Sequence, residues 1–436
     1  MDGNEAEPHP PPIPEVTRPG AITRLRSLTI DLTPIRRFRE FRLLWLGGSV
    51  SGIGTLGISW VAVPYQVFSI TRSPLAVGLI ALFGLIPVLG LGLVGGAIAD
   101  TVDRRKLLLW ANAALAASAV LLGVNARPGF GHLWAIYGVV SIQAAFSTVE
   151  GPAFESAIPR IVPKAMLPSA FVLTAFAGTF AFLVGPLLGG TIIARFGVSA
   201  AYFVDASSFL WAFAFVAAMK PIPPHREAAH PSRGSIREGL AFATGDRVLL
   251  GTFLADLVGQ VPGMPEALFP SVAARIGGGA QTLGLMYSAG AAGSFLVNLF
   301  SGRAKHVRRQ GLVILVATVA WGAAIVGFGS ADTLWVALVM LAAAGGADMF
   351  SGIFRMTIPN VVTPDRLRGR VAGIGLVVVS AGPALGNLEA GVVASLVSVP
   401  FAIVSGGVVC IVGVAALAVA LPEFVRYDSS SRGFPT

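Results

Sequence analysis

The sequence contains little charge and almost no cysteine. Only 12% of its 436 residues are charged, against roughly 25% in soluble proteins. This shortage excludes an ordinary soluble domain, since 54% of the residues are hydrophobic and the mean hydropathy is +0.77. The single cysteine, Cys410, lies in an apolar stretch, which excludes an intrachain disulfide and indicates a packing residue.

Several chemical signatures are also missing. No G-x-x-x-x-G-K-S/T loop occurs, which argues against ATP-driven transport, and nothing indicates catalysis or a cofactor. The five histidines lie outside the apolar runs without ligand spacing, so no metal site is expected. The net charge of +9 comes from short clusters between apolar runs, which argues against a nucleic-acid partner.

Apolar runs long enough to cross a bilayer, about 20 residues each, predict twelve transmembrane helices. All but four of the 31 Lys and Arg residues fall on one side of these spans, which predicts that both termini are cytoplasmic. The predicted spans begin near Leu43, Leu75, Leu107, Leu133, Ser169, Val198, Val248, Leu283, Leu312, Leu334, Val371 and Pro400.

The spans divide the chain into five parts. Residues 1–42 are predicted to be a cytoplasmic tail without a signal peptide, and residues 43–219 to be a six-helix half. A Pro-rich linker at 220–247 joins this half to a second one at 248–421, and 422–436 form the other cytoplasmic tail. Lysine is scarce and alanine, glycine and arginine are abundant, which is typical of a high-GC bacterium and predicts a multi-pass protein of the bacterial plasma membrane.

Two segments about 200 residues apart nearly repeat each other. Residues 158–163 (IPRIVP) recur as 358–364 (IPNVVTP), and 185–189 (GPLLG) recur as 382–386 (GPALG). The repeat predicts an all-α membrane bundle of two pseudo-symmetric six-helix halves. This architecture is typical of transporters whose halves rock around a central site.

The segment between the second and third spans resembles the G-x-x-x-D-x-x-G-R-R/K loop signature of the major facilitator superfamily. The matching residues are Gly96, Asp100, Arg104 and Arg105, with Asp103 in place of the second glycine. The resemblance implies that Asp100 stabilises the outward-facing state. The residues alone predict that Asp100 faces a helix N-terminus while the two arginines lie at the headgroups. In the alternative, Asp100 is an ordinary interfacial cap, and the two arginines act only as signals that keep this loop on the cytoplasmic side.

A second motif lies in the fifth span. Gly178, Gly185, Pro186 and Gly189 resemble the glycine-proline antiporter motif of exporters in that superfamily, although plain helix packing is the alternative. The order of motifs over residues 30–425 is similar to the branch that contains the bacterial enterobactin exporter and actinobacterial drug-efflux proteins. Phe154 stands where relatives often carry arginine in the fourth span, so an arginine-based mechanism is not expected there.

Acidic residues inside spans each cost about 2.5 to 3.5 kcal/mol at mid-membrane, so each one invites a functional interpretation. The resembled fold lines its cavity with spans one, four, seven and ten, which favours Glu150, Asp256 and Asp348, with Asp256 ranked first. A carboxyl group that a neighbouring helix satisfies is the alternative for each. The full set of proton-coupling candidates is Asp256, Glu150, Asp348, Asp205 and Glu389, and Glu266 is a further intramembrane acid.

Polar residues one or two turns from these acids are candidates for lining the cavity. Gln143 and Ser147 share a helical face with Glu150, and Gln260 shares one with Asp256. No tryptophan is assigned a substrate role, although Trp60 and Trp211 could face the cavity.

The register of the repeat makes Glu155 equivalent to Arg355, and both are predicted at the cytoplasmic ends of the fourth and tenth spans. These spans face each other across the cavity in the resembled fold, so we hypothesise a gate in which the two charges meet when that side closes. In the alternative, Arg355 snorkels to the headgroups and Glu155 pairs with Arg160.

Together these features predict a proton-coupled secondary active exporter of amphipathic small molecules, either drugs or a siderophore. The expected partners are the small substrate, protons and membrane lipid, and the protein is expected to be a monomer. A lipid or lysolipid transporter of the same fold is one alternative. A non-transporting membrane receptor or scaffold is another.

Overall fold

The computed structural model describes residues 31–223, 233–300, 302 and 307–428, and for residues 92–101 and 233–236 it describes the helical backbone alone. Residues 1–30, 224–232 and 429–436, which include most of both predicted tails and part of the linker, lie outside the described residues. The long helices are α1 Arg39–Thr71, α2 Pro74–Thr101, α3 Arg104–Asn125, α4 Leu133–Ile161, α5 Leu167–Phe196, α6 Val198–Ala217, α7 Arg247–Gly263, α8 Ala280–Leu299, α9 Gln310–Gly329, α10 Leu334–Val362, α11 Arg368–Leu396 and α12 Val399–Ala420.

The twelve predicted spans are confirmed as helices, and each begins within four residues of its predicted start. Within the described residues, eleven of them are long and apolar enough to cross a membrane. The exception is α8, whose polar residues include Gln281, Ser288, Ser294 and Asn298. As shown below, two of these four side chains line a cavity, which explains the lower hydropathy of α8.

The duplication in the sequence is visible in the fold. The first IP segment ends α4 and leads through a short 3₁₀ turn, Lys164–Met166, into α5. The second ends α10 and leads through the equivalent turn, Asp365–Leu367, into α11. Helices α1 to α6 and α7 to α12 therefore form two six-helix halves of the same order.

Both halves bring their first and last helices to the same end of the bundle, which we call the termini end. In the first half, the Arg39 guanidinium donates to the Ala218 carbonyl at 3.1 Å, and the Lys220 N–H donates to Glu40 at 2.9 Å. In the second half, Arg247 at the start of α7 lies 3.6 Å from Glu423, just beyond α12.

The linker contains a helix, Arg233–Gly245, that is attached to the second half. Its Glu238 pairs at 3.3 Å with Arg366, in the turn before α11, and contacts Arg370 at the start of α11. The helix packs on α11 and α7. We therefore assign this part of the linker to the second half at the termini end.

The two halves touch mainly through two helix pairs, α2 with α11 and α5 with α8. Gly391 of α11 lies so close to the start of α2 that an added Cβ would be 2.9 Å from the Pro74 carbonyl oxygen. Gly284 of α8 is similarly close to Gly190 of α5, because a Cβ added to Gly284 would lie 3.1 Å from the Gly190 Cα. All four residues lie at the end opposite the termini, where small residues allow the helices to approach closely.

Two helices of the bundle are irregular. In α1 the segment Gly54–Ser59 forms a π-helical turn, so the helix widens where Gly57 lies against Gly185 of α5. Helix α7 breaks after Gly263, and Met264 is extended because a following proline, Pro265, disfavours the helical conformation. The chain then continues through a 3₁₀ turn, Glu266–Leu268, and a last helical piece, Phe269–Arg275.

Candidate substrate and proton site

An arginine and two aspartates form a charged cluster inside the second half. Arg355 of α10 contacts the Asp256 carboxylate of α7, and its other terminal nitrogen lies 2.5 Å from Asp348 Oδ1. Asp348 and Arg355 are seven residues apart, which places them on one face of α10 two turns apart. The Asp256 side chain is 6% exposed and that of Asp348 is 44% exposed, so one acid is enclosed and the other faces open space.

Burying charges of this kind is favourable only when they are paired and hydrogen-bonded. With one guanidinium and two carboxylates, the fully ionised cluster has one negative charge in excess. A proton on either aspartate would balance it. With one proton bound, the cluster would carry no net charge.

Asp348 opens onto a cavity of about 550 Å³ between the halves. Glu266, at the break in α7, is the second acid on its wall, and no ion pair of Glu266 is found among the described residues. Trp60 and Phe182 line it from the first half, with ring centroids 6.2 Å apart and nearly perpendicular. Further residues of the lining are Gly178, Gln260, Phe269, Ser294, Asn298 and Trp321.

The cavity lies on the termini side of the glycine contacts that join the halves. Gly178 and Asn298, which line it, are nearer the termini end of α5 and α8 than Gly190 and Gly284 are. The wall is mainly aromatic and aliphatic with a few polar groups. A site of this size and chemistry suits an amphipathic small molecule.

Asp205 has different surroundings. It is fully buried in α6, where it accepts a hydrogen bond from the Ser59 hydroxyl of α1 and lies 3.4 Å from the Ser208 hydroxyl. Gly54 leaves the space for this carboxylate, because a Cβ there would overlap it. Asp205 does not line the cavity and is placed to join α1 to α6.

The remaining acidic and polar candidates lie apart from the cluster. Glu150, Gln143 and Ser147 follow one face of α4, and Glu389 lies in α11, but none of them belongs to the cavity lining. Of the three predicted cavity residues, the structure brings Gln260 alone to the cavity wall.

The loop motif holds the termini end of the first half together. Asp103 caps α3 by accepting the Arg105 N–H at 2.9 Å and also accepts the Ile222 N–H at 3.3 Å. The side chains of Gly96 and Asp100 lie outside the described residues. Their proposed role in the outward-facing state stays a prediction.

Both arginines of this motif donate to backbone carbonyls at the termini end of the first half, and their position at the headgroups stays a prediction. Arg104 is buried, and its backbone N–H donates to the Ile222 carbonyl at 3.1 Å. The Arg105 guanidinium donates to the carbonyls of Val216 at 3.2 Å and Ala217 at 2.7 Å. The last carbonyls of a helix have no intrahelical partner, so the end of α6 supplies acceptors that the sequence pattern did not reveal.

The glycines of the α5 motif have separate contacts. Gly185 faces Gly57 in the wide turn of α1, and Gly189 faces Ile58, while Gly178 has open space beside the cavity. The Pro186 carbonyl meets Gly284 of α8. The motif therefore lies where α5 contacts both α1 and the opposite half.

The Glu155–Arg355 pair is not formed in this conformation. Glu155 is exposed, whereas Arg355 is held by the two aspartates of its own half. The Arg355 side chain does not extend to the end of the bundle, because both aspartates hold its guanidinium. The structure shows no ion pair between Glu155 and Arg160, which both lie in the part of the chain that it describes. The gate stays a prediction for a conformation closed at the termini end.

Sequence reasoning missed the partnership of Arg355 with Asp256 and a buried serine beside it, Ser351. A signal was available, because Asp348, Ser351 and Arg355 are spaced by three and four residues on α10 and share a face. The contact with α7 was not accessible from spacing, since it joins helices about 100 residues apart.

Comparison with known proteins places this geometry in a family. The family described as transmembrane secretion effector matches residues 29–436. The enterobactin exporter EntS of Citrobacter koseri is 29% identical over 391 residues, covering 89% of this chain and 93% of that protein. EntS of Shigella boydii is 29% identical over 405 residues, covering 92% and 96%.

Solved structures share the fold at low identity. A bacterial homologue of the human lysosomal transporter Spinster, in an inward-facing and unoccupied conformation, has a TM-score of 0.69 at 15% identity and covers 92% of this chain and all of that one. The nucleoside transporter NupG has a TM-score of 0.69 at 14% identity, covering 89% and 98%. With its two six-helix halves and its full-length family match, the chain belongs to the transmembrane secretion effector family of the major facilitator superfamily.

Proposed function

We propose that the protein is a proton-coupled secondary exporter of amphipathic small molecules, either drugs or a siderophore, that works by alternating access. The observation that carries the proposal is the Asp256–Arg355–Asp348 cluster beside a large cavity between the halves. The names of the relatives support export, and enterobactin makes a siderophore one substrate class to test.

The distribution of basic residues supports placing the termini end in the cytoplasm of a bacterial cell. The described conformation, joined at the opposite end, would then receive substrate from the cytoplasm. Aromatic walls from both halves would hold the apolar part of the substrate, and Glu266 and Asp348 its polar groups.

Protonation of Asp256 or Asp348 removes one of the two negative charges that hold Arg355. The remaining pair is weaker, so α10 can rearrange relative to α7 at lower cost. One charge moved through 100 mV supplies about 2.3 kcal/mol, which corresponds to roughly a 50-fold concentration ratio. A single titrating carboxyl group therefore suffices to drive useful efflux.

Transport into proteoliposomes with an imposed pH gradient tests this proposal, using a siderophore and a panel of amphipathic drugs. We expect Asp256→Asn to abolish uphill transport and to leave downhill exchange partly intact. Asp365→Asn, which neutralises an exposed acid at the termini end, is the matched control and should transport normally. Proton movement stimulated by lipid instead of drug would favour a lipid or lysolipid transporter, and no substrate-dependent proton movement would favour a receptor or scaffold.

A further inference from the structure

Three residues that line one small cavity beside the charged cluster each carry a buried polar atom without a hydrogen-bond partner among the described residues. The atoms are Gln260 Oε1, Ser351 Oγ and Arg355 Nε, and all three residues line a space of about 10 Å³. Ser351 is 2% exposed, so bulk solvent cannot satisfy its hydroxyl group. Buried polar groups are normally paired, and three in one place indicate a shared partner.

The chemistry of the three atoms identifies that partner. Arg355 Nε is a donor and needs an acceptor, Gln260 Oε1 is an acceptor and needs a donor, and the Ser351 hydroxyl can be either. A water molecule offers both functions. A metal cation has no acceptor for Arg355 and would be repelled by its charge.

The size of the cavity agrees with this assignment. A space of about 10 to 15 Å³ on this measure holds one water, which then needs two to four polar partners. The small cavity is next to the large one, because Gln260, Asp348 and Trp321 line both. Asp256 itself is not in the lining, but Ala255 and Arg355 are, and Arg355 contacts the Asp256 carboxylate.

We propose that this cavity binds one water molecule that carries protons between the large cavity and Asp256. The proposal rests on the proposed function, because it names the route to the carboxylate that would couple transport. A proton arriving from the large cavity forms a new O–H bond to the bound water, which releases one of its own protons to the Asp256 carboxylate. The water is regenerated, and the carboxylate becomes a carboxylic acid.

The other ionisable groups around Asp256 fit this route. On α10 these are Arg355 and Asp348, and Glu266 lies further along α7 on the large cavity. Helix α9 contributes Thr318 to the lining of the small cavity, and the Thr318 hydroxyl donates to the Ile314 carbonyl at 2.8 Å. The bound water therefore gives Asp256 a connection to the large cavity through polar groups.

Ser351 is the best residue for a test, since it lines the small cavity and is not part of the large cavity wall. Ser351→Val removes the hydroxyl group and places a methyl group where the water would bind. We expect proton uptake and pH-driven transport to fall by about tenfold or more, because the relay loses a hydrogen-bond partner and its water. Substrate exchange at equal pH on both sides should be unchanged.

Ser288→Val is the matched control, because Ser288 of α8 is also a buried serine without a hydrogen-bond partner and lines neither cavity. It should leave the ratio of pH-driven transport to exchange as in the wild type. If Ser351→Val does not fold, Ser351→Ala together with an experimental map of the wild type tests the same water. We expect density for a water molecule within hydrogen-bond distance of Ser351 Oγ and Gln260 Oε1. A well-resolved map without water density at this position would overturn the proposal.

The two proposals fail in different ways. If Asp256→Asn abolishes pH-driven transport and Ser351→Val behaves as the wild type, the relay is wrong and the coupling site stands. If Asp256→Asn itself retains full pH-driven transport, the proposed coupling site is wrong.

Discussion

Asp205 and Asp256 are both buried aspartates within the membrane-spanning bundle, in opposite halves, and their partners differ in kind. Asp205 is held between α1 and α6 by the hydroxyl of Ser59, away from the cavity. Asp256 is held by the guanidinium of Arg355, which it shares with Asp348 at the cavity wall. Asp205 thus joins two helices of its own half, whereas Asp256 shares its partner with an acid that faces the cavity.

The duplicated glycine-proline segments show the same contrast. In the first half, Gly185 lies against Gly57, so two backbones meet with no side chain between them. In the second half, the equivalent Gly382 lies beside the side chain of Gln260. A Cβ added to Gly382 would lie 3.1 Å from the Gln260 Cβ. At this position the first half thus packs backbone against backbone, whereas the second half packs the glycine against the Gln260 side chain.

Removing Arg355 should have the largest effect on this contrast. Arg355→Met leaves the buried Asp256 without a counter-charge, and breaking a buried pair in this way costs about 3 to 5 kcal/mol of stability. We expect loss of transport and a clearly lower thermal unfolding temperature in detergent. Arg366→Met, at a mostly exposed arginine of the same half, should change neither much.

A double variant checks the cause. Arg355→Met with Asp256→Leu removes both partners of the enclosed contact, so much of the lost stability should return while transport stays absent. If the double variant is no more stable than Arg355→Met, the effect is not due to the unpaired carboxylate.

Close packing in the first half can be tested with two glycines of α5. In Gly185→Ala the new Cβ would lie 2.5 Å from Gly57 Cα and 3.0 Å from the Ile53 carbonyl oxygen, so we expect a loss of about 1 to 3 kcal/mol from overpacking. Gly178→Ala adds a methyl group in open space and should be neutral or slightly stabilising through helix propensity. Unfolding of the purified variants measures both, and equal effects would contradict the packing interpretation of Gly185.

The sequence predicted the parts of this molecule that depend on hydrophobicity and periodicity. The twelve helices, their two halves and the position of Gln260 one turn from Asp256 all follow from apolar length, repetition and helical spacing. The partners of Arg355 and Arg105 and the place of Glu266 on the cavity wall do not, because they depend on which helices meet and at what depth. Likewise, the π-helical turn at Gly54–Ser59 arises from close contact with α5 and α6, and no local pattern predicts it.

Neutralising Asp205 in the first half should lower stability moderately without removing uphill transport. In Asp205→Asn the side-chain oxygen can still accept from Ser59, so only the extra strength of a charged hydrogen bond is lost, about 1 kcal/mol. We expect lower thermal stability with uphill transport retained, the reverse of Asp256→Asn. Loss of uphill transport in Asp205→Asn at unchanged stability would move proton coupling to the first half and remove the contrast between the two acids.

The smallest expected effect concerns the proposed gate, the one predicted contact between the halves that involves Arg355. Glu155 must compete with Asp256 and Asp348 for that arginine, so a Glu155–Arg355 pair can form only when the termini end closes and the cluster loosens. As a partly exposed pair it would contribute about 0 to 1 kcal/mol, which shifts the open–closed equilibrium by at most about fivefold. Glu155→Gln should therefore raise the open population modestly, measured as spin-label distances between the termini ends of α4 and α10.

Charge-swapped variants are less informative, because Arg355→Glu would place a third acid beside the two aspartates. Glu423→Gln is the control, since Glu423 is an exposed acid at the same end whose partner, Arg247, belongs to its own half. If both variants give the wild-type distance distribution, Arg355 serves the second half alone and the two halves are joined at the termini end by other contacts.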